Sequence, residues 1–167
     1  MGSFPIAPDQ DRTGLIYRFH AGYRFRFAGD SAKNDGIQAE MDIGYQSGRI
    51  FNGRLSFETG STIDLFGETE HLGAYVQANF HPKERWVLAL RGMGGGVSDD
   101  QESPSPSKDS DDFGGIFEFS FMTFYQFDKN LSVGTRLGYN LQHFGKDGGD
   151  QGTQHGLSTL LNLAYYF

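Results

Sequence analysis

The sequence predicts an all-β chain, an eight-stranded antiparallel up-and-down transmembrane β-barrel, in which residues 1–167 form a single domain. Two observations carry this prediction. Eight segments alternate apolar and polar residues with the two-residue period of a β-strand. The apolar runs are far shorter than the roughly 18 residues that a membrane-spanning helix needs, whereas a barrel strand needs only about 9 to 11 alternating residues.

The first strand, predicted over residues 15–27, has the clearest alternation. Its odd positions carry Leu, Tyr, Phe and Ala, and its even positions carry Arg18, His20, Arg24 and Arg26. Successive side chains of a strand point to opposite faces. This segment therefore has one aromatic face and one cationic face, and the two faces require different surroundings.

The same alternation returns in seven later segments. They are predicted as strands over residues 37–46, 54–65, 71–81, 85–92, 113–127, 131–142 and 156–167. The links after the first, fifth and seventh strands are longer than those that join strands 2 and 3, 4 and 5, and 6 and 7. The link over residues 94–112 is rich in Ser, Pro and Asp. Long loops at one end and short turns at the other are typical of outer-membrane barrels.

Two barrels fit this pattern: a soluble one of the lipocalin type, with its aromatic face inside, and a membrane-spanning one, with its polar face inside. Glycines recur on the polar face, where a narrow interior would need them. The charged residues of that face nearly balance, and its cations are arginines, which suit buried bidentate pairing with carboxylates. Aromatic residues also gather near the strand ends. These features favour the membrane-spanning barrel.

We therefore predict a charge network in the barrel interior, with a mainly structural role. Its predicted members are Arg18, Arg24, Arg26, Glu40, Asp42, Arg54, Glu58, Asp64, Arg91, Glu118 and Arg136.

The carboxyl-terminal segment LNLAYYF places Leu163, Tyr165 and Phe167 on one face and ends the chain in Phe. It resembles the assembly signal of the small eight-stranded outer-membrane barrels of the OmpA, OmpX and Ail type, and the whole chain resembles that family. The resemblance implies a Gram-negative cell outer membrane and a periplasmic N-terminus. It also implies insertion by the barrel-assembly machinery and contact with outer-membrane lipid and lipopolysaccharide. We expect a monomer.

Several functions are excluded or weakened by the sequence. The net charge of −7 argues against nucleic-acid binding, and the absence of cysteine removes thiol catalysis and thiolate metal sites. The acidic residues between positions 99 and 112 do not match the spacing of an EF-hand loop. We therefore predict no metal site and no cofactor.

Three functions stay open. The first is a non-enzymatic surface barrel that acts in envelope integrity or recognition through its outer loops. The second is a conduit for small apolar molecules of the OmpW type, suggested by apolar residues on the inward register, namely Ile116, Met122, Phe124 and Leu160. The third is a lipid A deacylase, suggested by His143. That family places a serine where this chain has Gly145, and the eighth predicted strand lacks an acid, so no catalytic residues are predicted.

Overall fold

A computed structural model describes residues 13–28, 36–66, 69–83, 85–99, 112–144 and 152–167. These residues form one closed barrel in which each strand pairs with its neighbours in sequence. The strands are β1 (Gly14–Ala28), β2 (Gly36–Gln46), β3 (Leu55–Phe66), β4 (Thr69–Lys83), β5 (Trp86–Asp99), β6 (Asp112–Gln126), β7 (Leu131–Phe144) and β8 (Gly152–Tyr166). Antiparallel pairing of β1 with β8, with Phe19 opposite Leu163, closes the barrel. The predicted all-β, eight-stranded antiparallel barrel is confirmed.

The barrel has two distinct ends. At the first, here called the terminal end, β1 begins and β8 ends, and the connections 47–54, 84–85 and 127–130 lie there. The other, here called the far end, receives the connections 29–35, 67–68, 100–111 and 145–151. All residues between strands at the far end are outside the described ranges.

Two connections at the terminal end have clear local causes. In the turn before β3, Phe51, Asn52 and Gly53 have φ values of 50°, 56° and 79°, a left-handed conformation that glycine adopts without strain. In the turn before β7, the Asp128 carboxylate accepts hydrogen bonds from the backbone N–H groups of Asn130 at 2.7 Å and Leu131 at 2.8 Å.

Several strands extend further toward the far end than the sequence predicts. β5 continues through Gly94, Gly95 and Gly96 to Asp99, and β8 starts at Gly152. Glycine is unfavourable in isolated strands, but here two neighbouring strands supply backbone partners, as in the pairing of Gly95 with Gly73 on β4 and with Ile116 on β6. The predicted loop over residues 94–112 therefore includes residues that belong to strands, since β5 ends at Asp99 and β6 begins at Asp112.

The polar face of the strands points into the barrel, and the apolar face points outward. Arg18 is 1% exposed and Glu40 is fully buried, whereas Phe119 is 52% exposed and Leu161 67% exposed. Large apolar side chains are exposed on every strand. No helix in the described parts of the chain is long and apolar enough to cross a membrane. The arrangement inverts the ordinary soluble one, in which apolar side chains are buried.

Candidate functional site

The candidate site is the interior of the barrel, and Asp42 on β2 lies near its centre. Arg91 on β5 donates to both carboxylate oxygens of Asp42, with Nη2 3.1 Å from Oδ1. On β1, Arg18 Nη1 lies 3.3 Å and His20 Nε2 lies 2.8 Å from Oδ2 of Asp42. Because β2 and β5 are not neighbours in the sheet, the Arg91–Asp42 pair crosses the interior.

A second group surrounds the carboxylate of Glu58 on β3. Arg18 donates to its two oxygens, at 2.8 Å each, in the bidentate geometry typical of strong Arg–carboxylate pairs. The Tyr75 hydroxyl donates to Oε1 of Glu58 at 2.7 Å. The Arg91 guanidinium carbon lies 3.9 Å from the centre of the Tyr75 ring, within the range of a cation–π contact. Tyr75 therefore joins the two ion-pair groups.

A third group surrounds Arg136 on β7. Its Nε donates to Oε1 of Glu118 on β6 at 2.9 Å, and its Nη1 donates to Oε2 of Glu40 on β2 at 2.6 Å. Arg24 on β1 lies 3.6 Å from Glu40 Oε1. The Arg136–Glu40 pair is a second link across the interior, because β7 and β2 are not adjacent. Side chains from opposite walls therefore meet and fill the middle of the barrel.

The structure brings most of the predicted charge network together. The side chains that lie buried in the interior are Arg18, Arg24, Glu40, Asp42, Glu58, Asp64, Arg91, Glu118 and Arg136. The prediction for Arg54 is wrong, because this residue lies in the turn before β3, where its side chain is exposed rather than held on an inward strand position. Arg26 lies on β1, but its side chain is outside the description.

The predicted charge network lacks several histidine, tyrosine and glutamine side chains that contact it in the structure. His20, His71, Tyr75 and Gln77 are buried and contact the predicted charges. The signal that could have found them is the alternation itself, because all of them lie on inward positions. The prediction selected charged residues and overlooked these partners on the same register.

The apolar inward residues pack beside the charged groups, and the Arg18 guanidinium carbon lies 5.1 Å from the centre of the Phe124 ring. Ile116, Met122, Phe124 and Leu160 are all buried. Met122 and Phe124 pack with Val87 and Ala89 between β5 and β6. β5 and β6 therefore present both apolar and charged side chains to the interior, since Arg91 and Glu118 lie on the same inward register.

His143 and the chain terminus lie on the outer wall. His143 is exposed, and its Nδ1 lies 3.2 Å from Oγ1 of Thr153. Gly145, which occupies the serine position of the deacylases, is outside the described residues. Phe167 is exposed and its backbone N–H donates to the Leu15 carbonyl at 3.1 Å. Leu163 and Tyr165 share its outward face.

One group in the interior has the residue types of a metal site. Carboxylate oxygens of Glu40 and Asp64 and a ring nitrogen of His71 all lie within 4.8 Å of one another. No metal site is predicted from the sequence, and none of the acidic residues between positions 99 and 112 belongs to this group.

Comparison with known proteins agrees with the fold. The structure is similar to the crystal structure of Neisserial surface protein A, with 16% sequence identity, a TM-score of 0.57, and coverage of 93% of this chain and 98% of that one. It also matches the outer membrane protein OprG from Pseudomonas aeruginosa, with 10% identity, a TM-score of 0.45, and coverage of 95% and 98%. No protein-family model and no curated protein matches the chain. The chain has the fold of the small eight-stranded outer-membrane barrels.

Proposed function

We propose that the protein is an integral barrel of the Gram-negative outer membrane that acts without catalysis, in envelope integrity or surface recognition, through the connections at the far end. In this proposal the terminal end faces the periplasm, the barrel inserts as a monomer through the assembly machinery, and lipid and lipopolysaccharide surround its outer wall. The far-end connections, which the sequence makes polar and acidic, face the cell exterior.

The observation that carries the proposal is the pairing of an apolar outer wall with an interior crossed by ion pairs. A wall with apolar side chains exposed on every strand is stable in lipid, where all backbone groups are paired in a closed barrel. The pairs Arg91–Asp42 and Arg136–Glu40 join strands on opposite sides of the interior. An eight-stranded barrel has room inside for little more than its own side chains. Such a molecule suits anchoring better than ion transport.

Planar-bilayer recording tests the closed interior. We expect the purified, inserted protein to show no steady conductance above the bare bilayer. The conductance of the wild-type protein is compared with that of Arg91→Gln, which removes the Arg91–Asp42 ion pair across the interior. A large, stable conductance from the wild-type protein would contradict the proposal.

Replacement of residues 100–111 by Asn-Gly tests the recognition role. Asp99 and Asp112 are paired across β5 and β6, so a two-residue hairpin turn fits between these strands. We expect the shortened protein to assemble normally and to lose binding of cells or envelope components to its outer face. Normal binding after the replacement of each far-end connection in turn would contradict a recognition role.

A conduit for small apolar molecules is the second candidate, because Ile116, Met122, Phe124 and Leu160 make part of the interior apolar. Uptake of an apolar fluorescent solute into vesicles separates the two functions. The anchoring proposal predicts the same uptake rate with and without the protein. A deacylase activity would instead change the mass of lipid A in cells that express the protein.

A further inference from the structure

The group formed by Glu40, Asp64 and His71 is concentrated near the far end of the barrel. Asp64 precedes the end of β3 at Phe66, and His71 follows the start of β4 at Thr69. All these side chains are nearly or fully buried, with exposed fractions of 0% for Glu40 and His71 and 2% for Asp64. The group therefore lies inside the barrel, closer to its far end than to its terminal end.

His71 contacts the carboxylates of both Asp64 and Glu40, but neither contact has the geometry of a hydrogen bond. Its Nδ1 lies 2.5 Å from Oδ2 of Asp64, and its Nε2 lies 3.8 Å from Oε1 of Glu40. Neither ring nitrogen, nor Oδ2 of Asp64, makes a hydrogen bond of acceptable geometry with the described residues, although all of these atoms are buried. Buried polar atoms ordinarily have a hydrogen-bond partner, so these three atoms retain the capacity to bind a further ligand.

The charges point to a cation. Among the described residues, every buried carboxylate except Asp64 contacts an arginine, and this includes Glu40, which contacts Arg136. The contacts described for Asp64 are instead with His71 and with Gln38, whose Nε2 lies 3.3 Å from Oδ1 of Asp64. When His71 is neutral, as a metal ligand must be, no described contact of Asp64 offsets its charge, and a cation bound between the two would do so.

We propose that Glu40, Asp64 and His71 form a binding site for a divalent transition-metal ion, with Zn²⁺ as the ion whose ligand preference fits them best. Imidazole nitrogen and carboxylate oxygen are both Zn²⁺ ligands, and a site with three protein ligands takes a water molecule in the fourth position. Arg136, whose Nη1 donates to Glu40 Oε2 at 2.6 Å, and Arg24, 3.6 Å from Glu40 Oε1, oppose a bound cation and limit the affinity of the site. The inference concerns the interior and does not depend on what the far-end connections bind.

Titration calorimetry of the folded protein in detergent micelles, stripped of metal beforehand, tests this site. We expect the wild-type protein to bind one Zn²⁺ per chain. His71→Gln and Asp64→Asn should each weaken binding by about tenfold or more, by analogy with the cost of perturbing metal sites. Arg24→Gln should tighten binding, since it removes a competing positive charge from the Oε1 side of Glu40.

His81→Gln is the matched control, because His81 is a buried histidine near the terminal end, where it contacts Ser56. We expect this variant to bind Zn²⁺ as the wild-type protein does. Each variant is first checked for folding by the shift in gel mobility between unheated and boiled samples. If one ligand variant fails to fold, the other decides the result.

Co²⁺ provides a readout that needs no substitution. Binding at the proposed site should give the wild-type protein a visible absorption band that Zn²⁺ abolishes. The inference is overturned if the folded wild-type protein binds no Zn²⁺ and gives no Co²⁺ band. It is also overturned if the folded ligand variants bind Zn²⁺ as tightly as the His81→Gln control.

Discussion

Asp42 accepts hydrogen bonds from side chains of two other strands, and this makes its partners sensitive to substitution. Arg91→Gln would leave the fully buried carboxylate of Asp42 with one guanidinium partner fewer. Breaking one partner of a buried pair costs about 3–5 kcal/mol. We expect Arg91→Gln to lower the free energy of unfolding by that amount, measured by reversible urea unfolding from lipid vesicles.

Arg54→Gln is the control for this prediction, because Arg54 is exposed in the turn before β3. A surface substitution of this kind changes stability by less than about 0.5 kcal/mol. Equal effects of the two substitutions would contradict the assignment of Arg91 to a sequestered interior pair.

Glycine is required at some positions of the wall and not at others. A Cβ atom on Gly134 would lie 2.0 Å from the Thr123 carbonyl oxygen and 2.7 Å from Cδ1 of Phe124. A Cβ on Gly92 would meet nothing within 4 Å. We expect Gly134→Ala to destabilise the barrel by about 1–3 kcal/mol through overpacking, and Gly92→Ala to leave it unchanged in the same urea assay. A harmless Gly134→Ala would show that the wall yields easily at this point.

Which residues face inward could be predicted from the sequence at this scale, but their partners could not. The alternation placed Glu40, Asp42 and Arg136 on inward positions. It carried no information on whether Asp42 pairs with Arg91 across the barrel or with an arginine on an adjacent strand. Arg54 was placed wrongly because it lies just before β3, where the chain is still turning and the alternation no longer fixes a face.

At the scale of the element, β6 offers the clearest test of the outward face. Phe119 lies midway along this strand and is 52% exposed. In lipid, Phe119→Arg should cost about 2–4 kcal/mol, because a charge near the bilayer midplane loses its solvation. Phe119→Leu keeps the position apolar and should cost much less. Urea unfolding from vesicles measures both, and a harmless Phe119→Arg would contradict a lipid-facing β6.

The number and order of the strands could be predicted because each has the same two-residue period. The residues at which the strands end at the far end of the barrel could not be predicted. The glycines of β5 from Gly94 to Gly96 carry no alternating side chains, so only pairing with β4 and β6 reveals that the strand continues to Asp99. β8 starts before its alternating apolar residues for the same reason, since Gly152 and Thr153 pair with Phe144 and His143 on β7.

At the scale of the whole molecule, closure determines which residues meet. β1 and β8 are distant in sequence but adjacent in the barrel. The backbone N–H of Phe167 donates a hydrogen bond to the carbonyl of Leu15 near the start of β1. Closure also sets β2 opposite β5 to β7, which is why Asp42 and Glu40 reach Arg91 and Arg136. The Arg91–Asp42 and Arg136–Glu40 pairs thus depend on the closed barrel, whereas Arg136 and Glu118 lie on adjacent strands.

The central claim is that the outer wall is solvated by lipid, and tryptophan fluorescence in vesicles with brominated acyl chains tests it most directly. Trp86 is the one tryptophan of the chain and lies on the outer wall near the terminal end. Bromines near the headgroups should quench Trp86 most. In the double variant Trp86→Phe, Phe119→Trp, bromines deep in the bilayer should quench most. If the folded double variant is instead quenched by aqueous iodide and unaffected by brominated lipid at any depth, the wall faces water and the claim is wrong.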